Sequence, residues 1–167
     1  NARKVIEPFV EGIDLSREAF PHMSVAEGKI FGVPMRLFRV SFSGELGFEV
    51  NVPARYGLAV WKALEEAGVP HGLALYGTEA MHILRAEKGY VIVGQDTDGT
   101  VTPDDIGYGR MVANRKPDFV GKRGLMRADL VAEGRRQLVG LLTSEPQLVL
   151  EEGAQVVLSS ARHNDTP

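Results

Sequence analysis

Apolar and polar residues follow a strand-like order between residues 39 and 50. Val40 and Phe42 lie on one side of a polar centre that contains two glycines, and Phe48 and Val50 lie on the other side. Two short alternating runs separated by a glycine-containing polar segment are typical of two strands joined by a loop. The pattern therefore predicts a β-hairpin over residues 39–50.

Glu49 is the polar residue of greatest interest in this hairpin. It lies between Phe48 and Val50, so it points to the opposite face of the second strand. On an open face, Glu49 is an ordinary surface carboxylate. If a second layer covers that face, the carboxylate instead offers two acceptor oxygens inside a pocket. Such a pair suits a ligand edge with two parallel N–H donors, as the pterin ring has.

The spacing of apolar residues elsewhere predicts further helices and strands. Residues 2–10 have a helical spacing that Pro8 interrupts, and residues 54–67 and 77–86 have the same spacing. Thr78 is the expected cap of the last helix, and Trp61 is expected in the core because it belongs to an apolar helical stripe. Residues 24–42 have the alternation and glycine punctuation of strands.

The last third of the chain predicts a domain boundary. The polar stretch 127–136 reads as a linker, and residues 137–142 and 155–158 each have the pattern of a strand. Because two strands alone do not form a stable module, residues 137–167 are expected to be the truncated start of a barrel-like C-terminal β domain. The predicted fold class is α+β, with an antiparallel sheet and packed helices over residues 1–126.

Composition narrows the class of protein. With 44% hydrophobic and 25% charged residues the chain has enough apolar side chains for a core. A formal net charge of −3 argues against nucleic acid as a partner, since such proteins usually have a net basic surface. The chain has no Cys, which excludes disulfides and thiolate chemistry. No apolar run reaches the roughly 18 residues that span a bilayer, so a cytoplasmic protein is expected.

An acidic segment at residues 96–99 resembles the start of a calcium loop. Counted from Asp96, an EF-hand needs Gly at the sixth position and Glu at the twelfth, and the chain has Val101 and Gly107 there. A turn stabilised by side-chain hydrogen bonds explains the segment better, and no metal site is predicted. Thr102, followed by a proline and two aspartates, has the pattern of a helix start.

Five motifs in a fixed order carry a family resemblance. They are SGELGFE at 43–49, LRAEKGY at 84–90, GQD at 94–96, TP at 102–103 and DFVGK at 118–122. In this order and spacing they resemble the folate-dependent aminomethyltransferase family, which includes the glycine-cleavage T-proteins. Within that family, residues 76–82 and 94–105 look most like the α subunits of heterotetrameric sarcosine oxidases, and the chain resembles their C-terminal part.

The resemblance implies a set of tetrahydrofolate-binding residues. Glu49 matches the pterin-binding carboxylate of the family, and Tyr90 matches an aromatic position beside the folate. Phe42 stands where family members often carry Tyr, so it keeps the ring and lacks the hydroxyl. Arg85 lies near the implied site, either as a cofactor-binding residue or in a structural ion pair with Glu87.

The resemblance also implies a division of labour among subunits. In sarcosine oxidases a flavin on the β subunit oxidises sarcosine to an imine, with glycine and H2O2 as products. The aminomethyltransferase-like region of the α subunit holds tetrahydrofolate, which takes up the one-carbon unit as 5,10-methylenetetrahydrofolate. FAD, FMN and NAD belong to the full complex, so the expected partners are the flavin-bearing β subunit and the small subunits.

Two alternatives remain open beside this interpretation. One is a glycine-cleavage aminomethyltransferase, which is disfavoured by Phe42 and by Met81, where glycine-cleavage relatives carry Arg. The other is a folate-binding module without a reaction of its own. The catalytic Asp of the family belongs to a segment upstream of Asn1, so the 167 residues alone are expected to catalyse nothing. Sarcosine and dimethylglycine are equally compatible with the sequence as substrates of a full enzyme.

Overall fold

The computed structural model describes residues 1–112, 115–151 and 153–156. The chain divides into two compact units, Asn1–Val101 and Thr102–Pro167. The first unit holds the sheet and the longer helices. The linker predicted at 127–136 stays a prediction.

The first unit contains a four-stranded antiparallel sheet. Its strands are β1 (Val10–Glu11), β2 (Val25–Ile30), β3 (Val33–Phe38) and β4 (Glu49–Asn51). Each strand pairs with the next one along the chain, in the order β1-β2-β3-β4. The prediction of an antiparallel sheet packed with helices is confirmed.

The helices agree with the predicted spacing to within a few residues. They are α1 (Ala2–Ile6) with a 3-10 turn at Glu7–Phe9, a 3-10 turn at Ala54–Tyr56 followed by α2 (Gly57–Gly68) and a 3-10 turn at Val69–His71, α3 (Thr78–Glu87), a 3-10 turn at Gly109–Met111, and α4 (Lys122–Leu125). The cap prediction is wrong, because Thr78 is the first helical residue and Gly77 occupies the cap position without a side-chain hydrogen bond.

Strands β2 and β3 form a hairpin with a two-residue turn. Phe31 and Gly32 both have positive φ, at 50° and 73°, which is the turn geometry that matches the right-handed twist of the strands. Phe31 is an unusual residue for this backbone. Its ring packs on Phe9 with a centroid separation of 4.4 Å, and its N–H donates to the Phe9 carbonyl at 3.2 Å. These two contacts hold the aromatic residue in the turn.

The core lies on one face of the sheet, against α1 and α2. Its buried members are Val5, Ile6, Leu15, Phe20, Ile30, Met35, Leu37 and Val60. Ile30 and Leu37 are 0% exposed, and Val50 of β4 lies opposite Leu37 in the register. The apolar residues of the strands recur at every second position, so the other face carries the polar ones.

Gly28 of β2 has no room for a side chain beside β1. A Cβ at this position would lie 2.5 Å from the Glu11 carbonyl oxygen and 2.9 Å from Cγ1 of Ile13. Gly28→Ala is therefore expected to displace the edge strand and to lower the free energy of unfolding by about 1–3 kcal/mol. Urea unfolding followed by circular dichroism measures the change.

Gly57→Ala is the matched control for Gly28→Ala. Gly57 has a helical backbone, and nothing lies within 4 Å of an added Cβ. It is expected to stabilise the chain by about 0.4–1 kcal/mol, because alanine restricts the unfolded chain. Equal effects of the two substitutions would show that close packing at Gly28 does not constrain the sheet.

The predicted hairpin over residues 39–50 is only partly correct. Its second strand exists as β4, but β4 pairs with β3, and the backbone leaves the strand after Phe38. Residues 39–48 form a long connection in which Gly44 has a φ of 77°. The Arg39 guanidinium donates to the Gly47 carbonyl at 3.4 Å, across the base of this connection. The segment with these glycines and serines therefore forms a loop where a strand around Phe42 was predicted.

The prediction that Trp61 is buried is wrong. Its side chain is 55% exposed, whereas Val60 is buried. Leu64 and Ala67 follow Val60 at intervals of four and three and pack against the core, so they define the inner stripe of α2. Trp61 is one residue beyond that stripe and faces outward.

The second unit differs from its predicted secondary structure. The Thr102 N–H donates to Asp105 Oδ2 at 2.7 Å and the Asp105 N–H donates to Thr102 Oγ1 at 3.4 Å, which is the reciprocal bonding of a capping box. A turn follows in place of the predicted helix. Residues 137–142 are not a strand, so that prediction is wrong. Of the strand predicted at 155–158, the last two residues lie outside the described part of the chain.

Asp105 is the central side chain of the second unit. It is 6% exposed, and Arg135 donates to it through Nε, at 2.9 Å, and through Nη2. The backbone N–H of Leu138 donates to the Asp105 carbonyl at 2.8 Å. Arg135, from the predicted linker, is therefore fixed to the turn that begins at Thr102.

The Asp105 network predicts a pH dependence of stability. Hydrogen bonds from Arg135 and from the Thr102 N–H hold the pKa of Asp105 well below its ordinary value, against the opposing effect of burial. A carboxylate with a lower pKa in the folded state stabilises the fold above its unfolded pKa of about 4, and this contribution is lost as the pH falls through the folded pKa. We expect the urea midpoint to fall when the pH is lowered from about 5 to about 2.

Asp105→Asn should remove part of this acid dependence, because no carboxylate is left to protonate at that position. Asp118→Asn is the control, since Asp118 lies exposed in the same unit. If both variants retain the acid dependence of the unsubstituted chain, Asp105 is not its source.

Candidate functional site

Glu49 lies on the face of the sheet that points away from the core. It begins β4 and lies opposite Phe38 of β3. The adjacent Phe48 and Val50 pack against the core, so the predicted alternation around Glu49 is confirmed. Its carboxylate is exposed and has no hydrogen-bond or ion-pair partner among the described residues.

The second layer that would enclose Glu49 is not supplied by the described residues of this chain. Val25 is on the same face and is 54% exposed. The side chains of Glu27 and Arg36, which pair at 2.9 Å, are 75% and 58% exposed. Of the two alternatives for Glu49, the open face is therefore the one that the described residues show. On that face the carboxylate has no partner among them.

Phe42 lies in the loop of residues 39–48 and is 38% exposed. An exposed ion pair of 2.6 Å between Lys88 Nζ and Glu45 Oε1 links the loop to the end of α3. It also approaches α3 closely at Gly44, where an added Cβ would lie 2.7 Å from Lys88 Cγ. The structure thus joins the SGELGFE and LRAEKGY motifs, which are far apart in sequence.

Tyr90 follows α3 and is partly buried. Its N–H donates to the Arg85 carbonyl at 2.9 Å, and its own carbonyl accepts from Arg85 Nη1 at 3.1 Å. Gly89, with a φ of 77°, allows the chain to reverse between the two residues. Arg85 therefore holds the backbone of Tyr90 through both its N–H and its carbonyl.

Arg85 forms its ion pair with Asp96. The predicted partner Glu87 is wrong, because helical residues two apart do not face each other. The side chains of Arg85 and Asp96 are 11% and 24% exposed, and Asp96 Oδ2 also accepts the N–H of Ile92 at 2.7 Å. Asp96 is a residue that reasoning from sequence missed, although it ends the GQD motif.

Asp96 is ionised at neutral pH despite its burial. Burial by itself raises the pKa of Asp96, but the hydrogen bonds from the Ile92 N–H and from the Arg85 guanidinium outweigh it. The net effect is a pKa below the ordinary value. Arg85 and Asp96 therefore form a charged pair with good hydrogen-bond partners on both sides.

The acidic segment after Asp96 forms the predicted Asx turn. Asp98 Oδ1 accepts the Thr100 N–H at 2.7 Å and the Thr100 hydroxyl at 2.6 Å. In the part of the chain that the structure describes, no group of three or more His, Asp or Glu side chains is arranged to hold a metal ion.

An apolar cavity of about 390 Å³ lies beside α2. Its lining includes Trp61, Leu64, Leu73, Leu75 and Tyr76. None of the residues predicted to bind folate lines it.

No helix within the described ranges is both long enough and apolar enough to cross a membrane.

Comparison with known proteins places these motifs in a family. Residues 1–116 match the family model described as the GCVT N-terminal domain. The chain is 47% identical over 161 residues to the sarcosine oxidase subunit alpha of Corynebacterium sp. (strain U-96) and 43% identical over 162 residues to that of Rhizobium meliloti (strain 1021). It is also 36% identical over 148 residues to the aminomethyltransferase of Streptomyces avermitilis.

These matches cover most of this chain and a small part of the two subunits. The two sarcosine oxidase subunits match 96% of the chain, which spans 16–17% of their length. The aminomethyltransferase matches 87% of the chain, which spans 40% of that protein. The family match covers more than half of the chain and includes Glu49, Arg85, Tyr90 and Asp96. This chain belongs to the family of the GCVT N-terminal domain.

Proposed function

We propose that this chain is the tetrahydrofolate-binding region of a sarcosine oxidase α subunit. In that role it works with a flavin-bearing partner subunit, which oxidises sarcosine to an imine. The one-carbon unit then passes to tetrahydrofolate as 5,10-methylenetetrahydrofolate. The observation that carries the proposal is the 47% identity to a sarcosine oxidase subunit alpha over 96% of the chain, together with a family match that includes Glu49.

The chemistry of Glu49 fits the pterin ring. An ionised carboxylate is an acceptor only, with two oxygens in one plane, and the pterin edge offers two parallel N–H donors. Such paired, charge-assisted bonds are stronger than neutral ones. Since the Glu49 carboxylate has no partner among the described residues, binding a ligand there breaks no existing ion pair.

Two other side chains complete the proposed site. Tyr90 would pack its ring on the pterin or its linker, and Phe42 would contribute apolar surface without a hydroxyl. The loop of Phe42 is linked to the end of α3 by the exposed ion pair of Glu45 and Lys88, and the backbone of Tyr90 is held by a hydrogen bond from Arg85. When bound, tetrahydrofolate supplies the two amines that take up the one-carbon unit. The protein residues bind and orient the ring.

The sheet face of Glu49 needs a covering layer for this function. The chain spans about a sixth of the length of the sarcosine oxidase subunits that it resembles. We propose that other parts of a longer protein or complex supply the layer. A covered site would exclude water from the contact between Glu49 and the ring, which strengthens the hydrogen bonds.

A glycine-cleavage aminomethyltransferase is the second candidate function. The 36% identity to the Streptomyces avermitilis enzyme favours it. Met81, where relatives that act in glycine cleavage carry Arg, disfavours it. A module that binds folate without a reaction of its own is the third candidate.

Two measurements on the full-length protein from its natural host test the proposal. Calorimetric titration should show binding of folinic acid and no comparable binding of p-aminobenzoylglutamate, which lacks the pterin edge. A flavin-bearing subunit should co-purify. A lipoylated carrier in its place would indicate the aminomethyltransferase, and folinic acid binding with neither partner would indicate the module. Absence of folinic acid binding would contradict all three.

A further inference from the structure

We propose that Arg85 and Asp96 act together as a positioning device for Tyr90, with neither side chain touching the folate. This inference rests on the proposed function and assigns the role of Arg85 within it. The pair closes the loop between α3 and Asp96 into a ring of contacts. The backbone that carries the aromatic ring of Tyr90 is thereby held in place before the ligand binds.

The ring of contacts has four hydrogen bonds besides the ion pair. Arg85 binds both sides of Tyr90, through its carbonyl to the Tyr90 N–H at 2.9 Å and through Nη1 to the Tyr90 carbonyl at 3.1 Å. Asp96 binds both sides of Ile92, with Oδ2 accepting the Ile92 N–H at 2.7 Å and the Asp96 N–H donating to the Ile92 carbonyl at 2.9 Å. The ion pair between Arg85 and Asp96 joins these two halves.

The guanidinium of Arg85 is already engaged within the chain. Nη1 donates to Tyr90 and Asp96, and Nη2 lies 3.5 Å from Asp96 Oδ1. Nε is buried and has no hydrogen-bond partner among the described residues, and the side chain as a whole is 11% exposed. A ligand on the surface therefore meets Arg85 through the loop that it holds.

The loop requires such a clamp because two glycines flank Tyr90 and Ile92. Gly89 and Gly94 have φ values of 77° and 91°, and a Cβ at either would meet nothing within 4 Å. Glycines in open space allow many backbone conformations. Fixing the loop before the ligand arrives reduces the conformational entropy lost on binding.

A double-mutant cycle with Tyr90 separates positioning from a general structural role. In the full-length protein, Arg85→Gln is expected to weaken folinic acid binding about tenfold when Tyr90 is present. In the Tyr90→Ala background the same substitution should change affinity less than about twofold, because the ring that Arg85 positions is gone. Asp96→Asn should behave in the same way, and Arg85→Lys should restore part of the affinity.

Arg127→Gln is the matched control for Arg85→Gln. It also removes an Arg–Asp pair, with Asp129, but those side chains are 66% and 59% exposed. It should leave folinic acid affinity unchanged in both backgrounds. Thermal unfolding of each variant checks that the fold persists, and Arg85→Lys replaces Arg85→Gln in the cycle if the latter does not fold.

The outcomes distinguish this inference from the proposed function. If the unsubstituted protein does not bind folinic acid, the proposed function fails and this inference fails with it. If it binds and Glu49→Gln weakens binding, but Arg85→Gln has the same effect with and without Tyr90, the positioning role is overturned and the proposed function stands. Arg85→Gln could also weaken folinic acid binding in the Tyr90→Ala background but leave the binding of a pteroyl ligand without the glutamate tail unchanged. That result would show that Arg85 contacts the glutamate tail directly, which also overturns the inference.

Discussion

Leu37→Ala is expected to lower the free energy of unfolding by about 2–5 kcal/mol. Leu37 is 0% exposed at the centre of the core, with Ala26 and Val50 opposite it on the flanking strands. Removing its side chain loses apolar burial and leaves a cavity that a paired strand cannot easily close. Urea unfolding of the purified chain, followed by circular dichroism, measures the change.

Leu58→Ala is the control for this prediction, since Leu58 of α2 is 68% exposed. Its effect should lie within about 0.5 kcal/mol of zero. A loss below about 1 kcal/mol for Leu37→Ala would contradict the core described here. The backbone of β4, which carries Glu49, would then not depend on packing under the sheet.

Glu49→Gln is expected to weaken folinic acid binding by about 1.5–3 kcal/mol, which is roughly 10- to 150-fold. Glutamine keeps one acceptor oxygen and places an NH2 donor against a ligand donor. The shape of the side chain is retained, so the loss reports the charge and the second acceptor. Calorimetric titration of the full-length protein with folinic acid measures it.

Glu27→Gln is the matched control on the same sheet. Glu27 is an exposed carboxylate of β2 that pairs with Arg36. It lies outside the family motif that contains Glu49. Its substitution should change the affinity less than about twofold. Equal losses for both variants would mean that Glu49 makes no specific contact with the ligand.

Local periodicity predicted those parts of the fold that depend on neighbouring residues. The alternation around Glu49 gave the orientation of its side chain, because a strand has a period of two whatever its partner. The apolar stripes of α2 and α3 likewise predicted helices, because the helical period also depends only on neighbouring residues. The motif order also led to Glu49 and Tyr90 as candidate residues, and the family match covers both.

Features that depend on distant residues could not be predicted in this way. The partner of Arg85 is Asp96, which lies beyond a turn that sequence spacing does not place in space. Trp61 is displaced by a single residue from the buried stripe, and an angle of about 100° per residue decides its exposure. Residues 137–142 have strand propensity, but propensity requires a pairing neighbour.

The structure of the full-length protein with folinic acid bound would show whether Glu49 binds the pterin edge. The quantity to measure is the separation between the Glu49 carboxylate oxygens and the two nitrogen donors of the pterin edge. We predict two contacts of about 2.7–2.9 Å, the range of charge-assisted hydrogen bonds. Folinic acid bound elsewhere, with the Glu49 carboxylate still in solvent, would contradict the claim.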